Sequence, residues 1–252
     1  MIIQEIRNAT LKITYGGATF LVDPWFQDKG TGPSAPAIRP EMQGVKNPLN
    51  DLPFPVESIL ADVDFCLVSH VHPDHVTKDY LPDETRMIAQ NESDVDALRQ
   101  MGFRNVELFS EFANTFKNAT VTRVDGVHGD SPKVAELMGR VSGFVFAADS
   151  EKTLYIAGDT VYYDGVRETI QRFQPDVVIL NCCGATMPIG RLIMGLEDVR
   201  QVCADAPNAT IIAVHLDSVN HATVTSDDVR RMAAENRLSQ LLTPKNGEII
   251  RL

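Results

Sequence analysis

Cysteine is scarce: four in 252 residues, too few for a disulfide scaffold in a chain of this length. Basic residues are outnumbered, with 23 Lys and Arg against 34 Asp and Glu and a formal net charge of −11. That balance argues against a general nucleic-acid binder or a protein held on anionic lipid. It leaves room for a single anionic substrate, because a local metal charge can outweigh the global field. No apolar run approaches the roughly 18 residues of a membrane span. Glu5 and Arg7 interrupt the N-terminal stretch where a signal peptide would need unbroken apolar residues. With 44% hydrophobic residues, 16 Gly and 14 Pro, the chain is too apolar for disorder and too poor in Gly and Pro for a fibre. The expectation is a cytoplasmic protein of one domain, residues 1–252, acting on a small molecule, without nucleic-acid or membrane partners. Self-association into a homo-oligomer is left open.

The first thirty residues read as β-structure. Leu11, Ile13 and Tyr15 alternate before Gly16-Gly17, and Ala18 to Val22 then runs into Asp23-Pro24. Residues 27–57 differ, because Pro33, Pro36, Pro40, Pro48, Pro53 and Pro55 break any periodicity. A loop of this length inside a compact domain is usually functional or disordered, and a lid facing a substrate is the reading preferred. Strands are expected at 61–69, 104–109, 119–124, 142–148, 153–157, 177–180 and 211–214. Helices are expected at 93–101, starting from Ser93 and Asp96, and at 165–173, 197–204 and 226–238. The tail from Thr243 reads as a hairpin. Asp23, His70, Asp159 and His215 each follow an apolar strand, and strand ends are where α/β folds gather reactive groups.

Histidine is also rare, six in the whole chain, yet three of them fall within His70-Val-His72-Pro-Asp74-His75. On extended backbone His70 and His72 project to one side, and Pro73 turns the chain so that Asp74 and His75 reach a neighbouring point. Imidazole with carboxylate suits zinc, manganese or iron, with Zn–N distances of about 2.0–2.1 Å.

This pattern resembles the metallo-β-lactamase superfamily. The resemblance runs through Asp23, His70-x-His72-x-Asp74-His75, His128, Asp159 and His215 in order. Within it, the length and Leu21-Val-Asp-Pro-Trp25 look most like the L-ascorbate-6-phosphate lactonase-like branch. The resemblance implies an α/β fold, a four-layer αββα sandwich with two divalent metals in a cleft at the sheet edges. Zinc comes first, with manganese or iron as alternatives. By position His70, His72 and His128 would hold one metal, Asp74, His75 and His215 the other, and Asp159 would bridge them. A water shared by both ions would supply the hydroxide nucleophile. Asp23 would orient an imidazole rather than bind metal.

Asp74 and His221 are the residues expected to serve the reaction itself. His221, six residues past His215, is read as a substrate contact or proton donor, with a place as alternative last ligand left open. Tyr162 and Tyr163 are candidate substrate contacts, while Cys182 and Cys183 read as small packing residues. His72 stands where the oxygen-reducing diiron branch resembling this pattern has Glu, and the chain has no room for the large insert of the RNA-processing nucleases. The second ligand set departs from persulfide dioxygenases, which use one iron. Hydrolysis of a small ester or lactone, anionic metabolites included, is the expected activity. A phosphodiesterase is the first rival, and a non-catalytic metal-binding regulator the second.

Overall fold

Strand β2 (Thr10–Tyr15) returns as β3 (Ala18–Val22) through Gly16 and Gly17, whose φ values of 55° and 75° are left-handed. A side chain at Gly16 would also meet Ala119, its Cβ 2.7 Å from that backbone nitrogen, so both conformation and space demand glycine. The computed structural model describes residues 1–110 and 113–252. β1 (Ile2–Arg7), β2, β3, β4 (Phe65–Val68), β5 (Met87–Ala89) and β6 (Val106–Leu108) form one seven-stranded sheet with the terminal β16 (Ile249–Arg251), in the order β16-β1-β2-β3-β4-β5-β6. The second sheet holds β7 (Ala113–Phe116), β8 (Ala119–Gly126), β9 (Val141–Ala147), β10 (Leu154–Ile156), β11 (Val177–Asn181), β14 (Thr210–Val214) and β15 (Leu241–Leu242). Its order, β15-β14-β11-β10-β9-β8-β7, joins a parallel half to an antiparallel half, as in the first sheet. A two-stranded ribbon, β12 (Thr186–Met187) with β13 (Gly190–Arg191), stands apart.

Alternation along the parallel strands builds the layers. In β4, Phe65 and Leu67 face the second sheet; in β11 and β14, Val177, Ile179, Ile212 and Val214 face the first. The residues between them turn outward. Cys66 and Val68 meet α1 (Val56–Leu60) and α2 (Glu92–Gln100) through Ile59, Val95 and Leu98. Val178, Leu180, Ile211 and Ala213 meet α4 (Asp164–Phe173), α5 (Leu196–Asp205) and α6 (Ser226–Glu235) through Ile170, Val202 and Val229. A strand covered on both faces reads as a continuous apolar run, which is why these strands are plain in the sequence. Between the sheets Phe20 packs edge-on against Phe116 and Phe146, centroids 5.5 and 5.2 Å away; each such ring contributes about 1.5–3 kcal/mol by burial. The result is the αββα sandwich. No helix among the described residues is long and apolar enough to cross a membrane.

Two local expectations are corrected. α2 starts one residue early, because Asn91, on extended backbone, accepts a hydrogen bond from the Asp94 amide at 2.9 Å, and Asn is as strong an N-cap as Ser. The tail makes no hairpin: β15 joins the second sheet while β16 pairs antiparallel with β1, Ile2 opposite Arg251. The free edge at the opposite end of the chain wins. Also absent from the sequence reading were α1, β5, β7 and α3 (Pro132–Met138), all short.

Two charged side chains of β1 are buried. Arg7 donates to the carbonyls of Trp25 and Gln27 at 2.9 Å and of Asn50 at 3.1 Å, tying both feet of the proline-rich segment together. Glu5, 3% exposed, has one oxygen without a hydrogen-bond partner among the described residues. Burial, with Asp217 and Glu248 nearby, pushes its carboxyl up to about 8 from an ordinary 4.5. Between those values the unfolded chain sheds a proton the folded chain keeps, so stability falls by about 1.4 kcal/mol per pH unit from this group. Glu5→Gln should remove that slope, its Tm advantage over wild type growing from pH 5 to 8 and levelling above. A constant difference across that window would contradict the assignment.

Candidate metal centre

The carboxyl ends of β3, β4, β8, β10, β11 and β14 lie at one edge of the sandwich, and the chain leaves each with a polar residue. Two of these turns are left-handed at non-glycine residues, Asp23 at φ 46° and His215 at φ 61°, a conformation costing about 1–3 kcal/mol and concentrated at functional sites. The backbone amide of Asp23 donates to Leu67 and that of His215 to Asn8, each at 2.9 Å. Gly158, φ 69°, precedes Asp159 where a Cβ would lie 2.6 Å from the Ser142 carbonyl.

The side chains converge as three overlapping groups, each with its nitrogen and oxygen atoms within 4.8 Å of one another: His70, His72 and His128; His70, His75 and Asp159; Asp74, His75 and His215. His70 Nε2 lies 2.9 Å from His72 Nδ1, and His215 Nε2 3.3 Å from His75 Nε2. Asp159 Oδ2 is 3.1 Å from His75 Nε2 and 3.7 Å from His128 Nε2; its Oδ1 is 3.8 Å from His215 Nε2. Asp74 Oδ2 is 3.5 Å from His215 Nε2.

The outer ring atoms are held from behind. Asp23 accepts from the Ser69 amide and hydroxyl at 2.7 Å and lies 2.8 Å from His75 Nδ1. His128 Nδ1 faces the Leu192 carbonyl at 3.0 Å, leaving Nε2 toward the cluster. Asn181 Nδ2 donates to Asp159 Oδ1 at 2.7 Å. Asn8 Nδ2 donates to the Asp74 carbonyl at 2.9 Å, beside His215 Nε2 at 3.2 Å. Cys183 Sγ lies 3.4 Å from His215 Nδ1, so this cysteine backs an imidazole, while Cys182 packs in the core. Second-row partners of this kind orient ligands and set their basicity. Ser69 and Asn181 follow apolar strands and were readable by the criterion that picked out His70. Asn8 and the role of Cys183 carried no local signal.

The donor set fits divalent cations. Ring nitrogens pointed at one another inside a buried site repel unless a proton or a cation lies between them. Left to protons alone, burial disfavours charge on His75, but Asp159 and Asp23 outweigh it and push the ring up to about 10. His215 is raised well above its usual range, Asp159 and Cys183 overcoming burial. Burial, then His75 and His72, holds His70 well below. For Asp159, burial opposes ionisation and the imidazoles of His75 and His215 override it. Metal ligation requires neutral imidazole, so a cation entering here displaces those protons. Zinc affinity should therefore rise about tenfold per pH unit for each proton released, between pH 6 and 8. Calorimetry in buffers of different ionisation enthalpy measures the release directly, and a pH-independent Kd would contradict it.

A cavity of about 270 Å³ opens above the cluster. His72, Asp74, His128 and Asp159 form its floor, and Trp25, Met138, Met187 and Leu192 one wall. Gln27, Pro33 to Pro36, Asn47 and His221 also line it. His221 belongs to none of the three groups. Tyr162 and Tyr163 do not line the cavity: Tyr162 donates to Asp205 and accepts from Arg167, and Tyr163 donates to the Asp125 carbonyl at 2.8 Å. The turn after Asp159 ends by feeding α4, whose N-cap is Tyr163, and both rings pack against the core beside that helix.

Fold and centre together define the class. The family model of the beta-lactamase superfamily domain matches residues 18–216, and the chain belongs to that superfamily, among its metal-dependent hydrolases. The non-catalytic regulator is thereby set aside. The chain is 39% identical to the UPF0173 protein YddR of Bacillus subtilis, covering 98% of both chains. The solved isothiocyanate hydrolase from Delia radicum gut bacteria is 35% identical with a TM-score of 0.92, covering 100% of this chain and 99% of that one. A possible metal-dependent hydrolase of Veillonella parvula is 32% identical with a TM-score of 0.94 and the same coverage.

Proposed function

We propose that this hydrolase acts on a small, uncharged electrophile carrying an apolar group, with an isothiocyanate as first substrate, and that it uses two divalent ions, zinc first. The observation that carries this reading is the cavity: apolar walls, a floor of His and Asp, and no Lys or Arg among its lining residues. With no cationic side chain lining the cavity among the described residues, an anionic substrate would rely on the bound ions alone, so the neutral electrophile is preferred over the phosphodiester and anionic-metabolite readings. The likeness to the isothiocyanate hydrolase across the whole chain supports the choice of electrophile.

Divalent ions held by the two His/Asp sets would lower the pKa of bound water and polarise the electrophile. The chain's own residues do the rest. The walls exclude bulk water and align the apolar group. Asp74 stays ionised: burial opposes this, but His215 and His75 outweigh it, and its charge sits on the cavity floor. Burial lowers the pKa of His221, so at neutral pH its ring is uncharged and able to take a proton from the attacking water and hand it on to the leaving nitrogen. In balance, water adds its oxygen to the central carbon of R–N=C=S, the C–N bond breaks, and nitrogen takes both protons. R–NH2 and carbonyl sulfide result. A lactone or ester carbonyl of similar size presents the same electrophilic carbon to the same walls.

The test is a panel with metal-reconstituted protein: arylalkyl isothiocyanates, neutral esters and lactones, their carboxylate-bearing analogues, and an aryl phosphodiester. The highest kcat/KM should fall on an isothiocyanate. A neutral lactone or ester in first place would overturn the choice of electrophile, and an anionic substrate in first place the whole reading. Elemental analysis should approach two metal equivalents per chain; a strict ceiling of one, with normal folding, would sink the dinuclear part.

A further inference from the structure

The proline-rich wall of the cavity is fastened at one buried point. Asn220, fully buried, donates through Nδ2 toward Ser34 Oγ at 3.0 Å, the Ala35 carbonyl at 2.8 Å and the Met42 carbonyl at 3.0 Å. Its Oδ1 accepts from the Ala35 amide at 3.1 Å and Asn47 Nδ2 at 3.0 Å, and its own amide donates to Asn47 Oδ1 at 2.8 Å. Among the described residues, every hydrogen bond from residues 33–47 to chain outside the 27–57 segment ends on Asn220 or on the Ala222 carbonyl, which takes a long contact of 3.4 Å from Arg39. The feet of the segment are held separately, by Arg7 and by Leu49 donating to the Ser218 carbonyl at 2.9 Å. Along the chain Asn220 stands between His215, in the His/Asp cluster, and its neighbour His221, which lines the cavity.

We infer that Asn220 is the positioning residue that sets the shape of the cavity: its amide holds the Ser34–Ala35 stretch of the wall at a fixed distance from the His/Asp floor and so decides which apolar groups fit. The inference rests on the reading that this cavity holds the substrate. A single amide serves because it can donate and accept at once, satisfying backbone groups of a segment that has no strand or long helix to satisfy them. Shape selection follows from packing: an apolar wall discriminates about 10–200-fold per methylene only while it stays in place.

Asn220→Ala tests it, with Asn47→Ala, which removes only two of these bonds, as the milder variant should the first not fold. Trp25, the sole tryptophan, lies in the cavity wall at 1% exposure and reports the wall without reference to activity. Acrylamide quenching of its fluorescence should rise several-fold in either variant, while metal content stays at the wild-type value. Preference between compact and bulky substrates should flatten by about tenfold, through KM more than kcat. Leu98→Ala, in α2 on the far side of the first sheet, controls for general loosening and should alter neither readout. Unchanged quenching and unchanged selectivity in a folded variant would overturn the inference, as would equal changes in Leu98→Ala. If wild-type protein turns over nothing in the panel, the functional reading fails on its own, and quenching still decides the role of Asn220.

Discussion

Asp159→Ala should lower kcat/KM by about 10³-fold or more, whereas Asp23→Ala should cost about 10–100-fold. The two carboxylates are equally buried and both touch His75, so the contrast is one of place. Asp159 points its two oxygens at ring nitrogens from all three groups, His75 at 3.1 Å, His128 at 3.7 Å and His215 at 3.8 Å, with Asn181 holding it from behind. It is the one side chain whose loss leaves both ligand sets without a shared anion. Asp23 lies behind His75, on the Nδ1 side, accepting also from Ser69. Removing it frees the imidazole to tilt but takes no donor from the cluster. Metal analysis separates the cases independently of rate: Asp159→Ala should fall to about one equivalent or fewer, and Asp23→Ala should hold the wild-type content. Equal, mild losses would contradict the central role of Asp159.

His221→Gln should keep the full metal content while kcat falls about 10²–10⁴-fold, the range for losing a proton-transfer group. The ring lines the cavity and its Nδ1 is enclosed without a hydrogen-bond partner among the described residues, so the solvent-facing edge is what a substrate meets. Gln matches its size and its hydrogen bonding but cannot titrate, so one limb of the pH profile should vanish. His215→Gln should behave in the opposite way. Its ring nitrogen faces Asp74, Asp159 and His75, and losing it should weaken metal retention first. Should the His221 variant lose metal while the His215 variant keeps it, the two roles are exchanged.

Much of this site was readable because its information is local. His70, His72, Asp74 and His75 occupy six consecutive positions, and the apolar runs before Asp23, His70 and His215 are strands covered on both faces. Tyr162 and Tyr163 stand close to Asp159 along the chain, but α4 begins at the next residue and their rings pack against the core beside it. What misled was equally local. The tail from Thr243 has the composition of a hairpin, yet Ile249–Arg251 finds a better partner in Ile2–Gln4.

Apolar runs and the His70-to-His75 spacing are properties of a few neighbouring residues, so the residues alone pointed to metal chemistry and to buried strands, while the four-layer sandwich and the fuller ligand set were what the family resemblance implied. Pairing across the length of the chain decided the remainder. Asn8 meets His215 only because β1 and β14 end at the same edge of different sheets. Cys183 backs the same imidazole because β11 and β14 lie side by side. The proline-rich segment has no periodic pattern of its own: its local turns are tied to the rest of the molecule through Arg7 and Asn220. Its form as a cavity wall is therefore a property of the folded molecule, where hydrogen-bond partners some 20 to 190 residues apart are brought within 3.1 Å.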